Sequence, residues 1–223
     1  MKKNVLASAA MLLASAIAAP AFAADTVSWA NWSTLASGTM QQGSNTITVS
    51  YNGENLGIDH NAYIYDVPSS FTNAQVTNTP GTNGTILMSG GGTRVNTFHF
   101  SQAVTNPYID VFSVGQNGVP VAFNFLNGAS FSILAQGGGH WAGGSLTQTS
   151  PSSFVGREGN GLLQFNGTFT DISFTTPNSE YYYGATIGIA AAVPEPETYA
   201  MMLAGLGALA FAARRRKTAI KIH

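Results

Sequence analysis

The side chains best suited to holding a ligand are aromatic. Trp29, Trp32, Trp141 and Tyr181-Tyr182-Tyr183 present flat apolar faces that stack on sugar rings, while Asn and Gln hydrogen-bond the hydroxyls, the usual makeup of a carbohydrate cleft. Trp141 and Tyr182 are the glycan contacts this pattern favours, because Trp141 follows Gly137-Gly138-Gly139-His140 and is expected at a loop tip. The competing reading is that these rings fill a core. The densest run of oxygen ligands is Asn52, Glu54, Asn55, Asp59 and Asp66. Such groups suit a hard cation, so Glu54 and Asp59 are weak Ca²⁺ candidates against a polar loop with solvated carboxylates. The D-x-D-x-D-G spacing of a calcium loop does not occur. His60, His99 and His140 would hold zinc only if the fold gathered them, and no H-E-x-x-H motif or cysteine assists. A strand histidine facing solvent accounts for His99.

Catalytic signatures are missing. Neither Gly90-Gly91-Gly92 nor Gly137-Gly138-Gly139 is followed by the Lys-Ser/Thr of a phosphate loop, and no G-x-S-x-G nucleophile elbow occurs. No catalytic residue is assigned and the chain reads as non-enzymatic. A glycoside hydrolase needs only two carboxylates in one cleft, and spacing along a sequence does not reveal such a pair. Arg157-Glu158 reads as a local charge pair on a loop, worth little where exposed.

The elements that must position these groups are strands. Between Asp25 and Ala192 no stretch sustains a helical apolar period, whereas alternation recurs: Ile47 and Val49, Phe98 and Phe100, Val121, Phe123 and Phe125, Leu163 and Phe165, Ile172 and Phe174. Side chains two apart share one face of a strand, which is how a half-buried sheet is written. Six Asn-Gly pairs punctuate the region, and Asn-Gly tolerates the positive φ that two-residue hairpin turns require. Asn166-Gly167 and Asn127-Gly128 therefore predict hairpins, the first joining Leu162–Phe165 to Thr168–Phe174. The fold class is all-β, an antiparallel β-sandwich or jelly-roll-like domain of roughly ten to twelve strands.

Charge separates the middle of the chain from its ends. Only 9% of residues are charged, against an average of about 25%. Between Ala24 and Val193 there are two arginines, no lysine and eight carboxylates, a formal balance of −6. Such a domain has no cationic footprint for phosphates, which excludes nucleic acid as a partner. With no cysteine, it must hold together by burial and backbone pairing alone.

Each end reads as a processing segment. Residues 1–23 have the parts of a secretory signal peptide: basic Lys2-Lys3, apolar Val5–Ala19, Pro20, then small Ala21 and Ala23 where signal peptidase reads. The exported domain is 24–192. At the other end, Val193-Pro194-Glu195-Pro196 is a stiff extended linker. The uncharged Thr198–Ala213 would span ~24 Å as a helix, short of the ~30 Å hydrocarbon core. Arg214-Arg215-Arg216-Lys217 would hold its cytoplasmic end, and 218–223 form a short tail. A plain membrane anchor and a buried helix are the alternatives.

Pro194-Glu195-Pro196, the short apolar span with Gly205 and Gly207, and the Arg214–Arg216 cluster together resemble the PEP-CTERM sorting signal of Gram-negative bacteria. The resemblance covers 193–217. It implies transient anchoring in the inner membrane, cleavage near Pro194-Glu195-Pro196 by the protease-transpeptidase exosortase, and delivery to the cell surface or extracellular space. It also implies association with exopolysaccharide and biofilm matrix. An ice-binding label sometimes accompanies such tails, but the central domain has no regular Thr-x-Thr ladder. Phe98–Pro107 and Gly156-Arg157-Glu158-Gly159-Asn160-Gly161 resemble β-rich domains that often precede this signal, which implies a fold and no activity. Mass spectrometry of the exported protein is expected to find Ala24 as its first residue; an N-terminus at Met1 would refute the signal-peptide reading.

Overall fold

Alternating apolar side chains need a facing surface on which to close, and in the computed structural model two antiparallel sheets supply it to each other. The structure describes residues 26–63, 68–140, 143–191, 200 and 202–209. One sheet runs β10 (Phe131–Gly137), β13 (Gly159–Phe165), β8 (Tyr108–Val114), β15 (Tyr183–Ala190), β6 (Thr85–Met88) and β5 (Gly57–Asp59), with β1 (Val27–Trp29) on the far end of β15. The other runs β11 (Ser145–Ser150), β12 (Ser153–Arg157), β9 (Val121–Phe125), β14 (Thr168–Thr175), β7 (Asn96–Thr105), β4 (Asn45–Asn52), β3 (Ser37–Gln42) and β2 (Asn31–Thr34). The all-β sandwich expected from the alternation is present. The fifteen strands among the described residues exceed the expected number because β1, β2, β5 and β6 have only three or four residues each, too short to announce a period.

Between the sheets lies an aromatic seam. Phe123 stacks on Phe154 (5.0 Å between ring centroids) and Phe174 (5.2 Å) and meets Tyr183 of the opposite sheet edge-on at 5.4 Å. Phe125 meets Phe165 edge-on at 4.8 Å and Phe131 at 5.4 Å. Edge-on pairs bring a positive ring edge to a negative face, worth about 0.5–1.5 kcal/mol each beyond burial. Trp29 and Trp32 are 3% and 1% exposed, so for these two rings the core reading holds and stacking on sugars does not. Each indole is bonded internally, Trp29 Nε1 donating to the Asn78 carbonyl (3.1 Å) and Trp32 Nε1 to Thr186 Oγ1 (3.0 Å).

The seven-stranded sheet is covered on its outer side too. Tyr63 and Phe71 pack on Phe112 and Tyr182, while Val76 packs with Trp29, Tyr108 and Leu162. β8 is therefore buried along its whole length. The two ends of the domain meet: β1 pairs with β15, and Ala191 N donates to the Thr26 carbonyl at 2.8 Å.

Neither Asn-Gly hairpin predicted above forms. β13 and β14, joined by Asn166-Gly167, lie in opposite sheets, and so do β9 and β10, joined by Asn127-Gly128. The local turn chemistry is right: Asn127 (φ 57°) and Gly128 (φ 74°) are both left-handed, and Ala129 N donates to the Leu126 carbonyl. The reversal leads across the sandwich instead of to a neighbouring strand, so Phe125 and Phe131 face each other through the core. Among the described residues, neighbouring strands are joined by two-residue turns at Leu35-Ala36, Gly43-Ser44 and Pro151-Ser152, and of the Asn-Gly pairs Asn117-Gly118 closes such a turn, Gln116 and Val119 exchanging both backbone hydrogen bonds. Asn160-Gly161 is no turn at all but part of β13.

Within the span expected to form the C-terminal membrane helix, residues 202–209 are helical. Among the described residues no helix is long and apolar enough to cross a membrane. The signal helix expected at 5–19 lies outside the described residues.

Asp110 sits on the outer face of β8, opposite Leu162 and Thr186, with no solvent exposure and no hydrogen-bond partner on either oxygen among the described residues. Burial raises its carboxyl well above the ordinary 3.8. The folded state thus holds a proton that the unfolded chain releases, so stability is full below pH 3.8 and falls as pH rises toward the raised native value. Asp110→Asn is expected to match the wild type in urea denaturation at pH 3.5 and to exceed it at pH 7 by on the order of 1–3 kcal/mol. Parallel stability curves for the two proteins would refute this.

Candidate functional site

Three places where the chain changes sheets come together at one end of the sandwich. At the first, β8 runs out through Ser113 (φ 52°) and Gly115 (φ 79°); at the second, β12 turns into β13 through Glu158 (φ 59°). A non-glycine residue in the left-handed region costs about 1–2 kcal/mol, so two side by side need cross-links. Glu158 N donates to the Gly115 carbonyl (2.9 Å), Ser113 N to Asn160 Oδ1 (2.7 Å) and Ser113 Oγ to Glu158 Oε1 (2.7 Å). The backbones pass so closely that a Cβ on Gly115 would strike the Gly156 carbonyl, and one on Gly156 the Val114 carbonyl. This crossing is what the Gly156–Gly161 run encodes.

The third crossing, from β14 to β15, brings Glu180, Tyr181 and Tyr182. Glu180 N donates to the Ser89 carbonyl at 2.8 Å, anchoring the segment. Together the crossings form a cleft of about 470 Å³ lined by Ser113, Gln116, Asn117, Glu158, Glu180, Tyr181 and Tyr182. A second groove of about 480 Å³ adjoins it past Glu158, lined by Asn117, Gly143–Ser145 and Arg157.

The cleft is acidic, and its two carboxylates differ. Burial raises Glu180 to about 7 and the charge of Glu158 adds to this, while hydrogen bonds from the Gly115 backbone and from Gln116 pull the other way. Glu180 Oε2 has no hydrogen-bond partner among the described residues. Glu158 is steadied by Ser113. Tyr181 is 84% exposed, and the half-buried Tyr182 ring is backed by Phe112 at 6.4 Å and 25°.

Of the glycan contacts expected from sequence, Tyr182 lines this cleft and Trp141 lies outside the described residues. Tyr183 is buried in the core. The processing residues Ala21, Ala23, Pro194, Glu195, Pro196, Arg214, Arg215 and Arg216 also lie outside the described residues. Glu54 is committed internally: its carboxylate accepts from Ser89 N, Ser89 Oγ and Gly90 N at 2.7–2.9 Å. Asp59 Oδ1 accepts from Asn61 N at 2.7 Å. Asp66 is outside the described residues, among which no three His, Asp or Glu side chains gather around a cation position. His99 faces solvent as expected and bonds Asp171 at 2.7 Å. The Arg157-Glu158 pair is corrected, since Glu158 engages Ser113 and the ion pair found among the described residues is His99–Asp171. Sequence reasoning missed Glu158 and Glu180 as cleft residues. The available signals were the glycines around Glu158 and the tyrosine run directly after Glu180.

A protein-family model, the PEP-CTERM protein-sorting motif, matches residues 192–217. No curated protein and no solved structure matches the chain.

The Glu180 carboxyl is expected to titrate near pH 7 in ¹³C NMR, and Glu158→Gln to lower that midpoint by removing a like charge while burial keeps it above the ordinary 4.5. A midpoint unmoved in the variant would refute the coupling of the two carboxylates.

Proposed function

We propose that this chain, which its PEP-CTERM motif at 192–217 marks as an exosortase-targeted exported protein, is a structural protein of the cell surface or extracellular biofilm matrix without catalytic activity. Signal peptidase removes residues 1–23, the C-terminal segment anchors the chain transiently in the inner membrane, and exosortase cuts near Pro194-Glu195-Pro196. The mature domain then associates with exopolysaccharide.

The observation that carries the matrix role is the outer face of the eight-stranded sheet. Thr39 and Thr48 lie opposite each other, Ser50 lies beside His99, and Thr97 Oγ1 and Ser173 Oγ are 2.9 Å apart. Thr147 and Thr149 are exposed on β11 at the edge of the same sheet. Hydroxyls and amides spread over so many strands hydrogen-bond polyol chains and neighbouring surfaces, and the sparse charge leaves that contact little affected by salt.

A second reading, a carbohydrate-binding module, is supported by the cleft: an exposed and a half-buried tyrosine beside paired carboxylates and amides is a sugar-sized polar site with stacking faces. A glycoside hydrolase is the less favoured version of it. Glu180 would be the acid and Glu158 its partner, and failure to release reducing ends from exopolysaccharide excludes it.

The proposal is tested on native material. Mass spectrometry of the surface or extracellular protein is expected to show a C-terminus close to Pro194-Glu195-Pro196. Cells lacking exosortase should retain the Arg214–Lys217 peptide and hold the protein in the membrane fraction. An extracellular polypeptide that still carries this peptide in wild-type cells would overturn the exosortase-processing part.

A further inference from the structure

We propose that the cleft formed by Glu158, Glu180, Tyr181 and Tyr182 binds a sugar unit carrying a free protonated amine, as in a de-N-acetylated aminosugar polymer. The inference rests on the carbohydrate-binding reading and names its substrate class.

Charge selects the ligand. Among the described residues two carboxylates line the cleft and no Lys, Arg or His does; Arg157 lines the adjoining groove past Glu158. The exported domain as a whole carries eight carboxylates against two arginines. Uronic, phosphorylated or sulfated sugars would meet like charge, and a neutral sugar would leave the carboxylates without a counter-charge. An ammonium group supplies the counter-charge that Glu158 and Glu180 lack among the described lining residues, in a partly desolvated place where a charge-assisted bond is strong.

The aromatic side of the cleft points the same way. Tyrosine faces attract cations as well as sugar rings. Tyr182 is held against Phe112, so little ordering is required on binding. The volume of about 470 Å³ suits one or two sugar units. The adjoining groove continues the path past Asn117 and Ser145, which suits a polymer more than a free monosaccharide.

Proton linkage gives the binding a signature. Glu180 is raised to about 7 by burial and by Glu158, and an ammonium beside it favours the ionised form. Binding therefore releases a proton near neutrality and weakens as pH falls below about 7.

The test is calorimetric titration of the mature protein recovered from cells, with glucosamine oligomers, N-acetylglucosamine oligomers of equal length, oligogalacturonate and a lysine-rich peptide. Glucosamine oligomers are expected to bind at least about tenfold more tightly than the acetylated ones, the equivalent of ~1.4 kcal/mol, with oligogalacturonate silent. Glu180→Gln, isosteric and checked for an unchanged thermal melt, should abolish the preference while leaving weak binding of both oligomers. Tyr181→Ala, at an exposed position, should weaken both. Equal affinity for acetylated and free-amine oligomers overturns the amine and leaves glycan binding standing. Binding of the lysine-rich peptide alone, or of nothing, overturns both.

Discussion

Two sheets with no disulfide to tie them depend on the phenylalanine seam. Phe123, Phe154 and Phe174 form a stacked row in one sheet, and Phe125 inserts edge-on against Phe165 and Phe131 of the other. Rings that interlock by edge and face admit few alternative alignments, so the seam also fixes how the strands of one sheet lie over those of the other. Everything at the end of the sandwich inherits that alignment. Ser113 can reach Glu158 only because β8 and the β12–β13 corner are held at one spacing.

The corners use the freedom that the seam leaves. Where the chain changes sheets its backbones touch, and side chains have to be absent: Gly115, Gly156 and Gly144 each sit where a Cβ would run into a neighbouring backbone. Asn106 (φ 48°) and Gly167 meet in a second clasp, Asn106 N donating to the Gly167 carbonyl and Gly167 N to Asn106 Oδ1. This explains two runs that stand out in the sequence, Thr105-Asn106-Pro107 and Gly156–Gly161, as steric requirements of neighbouring turns. The cleft lies beside the first kind of corner, where strained residues and carboxylates are brought together by the fold.

Alternation was legible because it is local. Phe98 and Phe100 declare a strand face by themselves, and the sandwich follows from many such pairs. What a strand pairs with is not local. Asn127-Gly128 makes the turn its chemistry dictates, yet a reversal into the next strand and a reversal across the core produce the same alternation on both sides. The site was half legible for the same reason. Tyr182 stands out by its type, while Glu158 and Glu180 acquire meaning from each other across a gap of 22 positions that only the crossings close. Trp29 and Trp32 show the converse, since side chains suited to stacking on sugars are equally suited to filling a core once their N–H groups find acceptors.

The pairing of β1 with β15 has a mechanical meaning. β15 is flanked by β8 on one side and by β6 and then β1 on the other, and the route to the C-terminal segment leaves from its end. Tension applied through that segment would run along β15 and load the hydrogen bonds to its neighbours together, in shear, instead of peeling them one at a time. A domain held from outside by this strand would resist being pulled apart by flow.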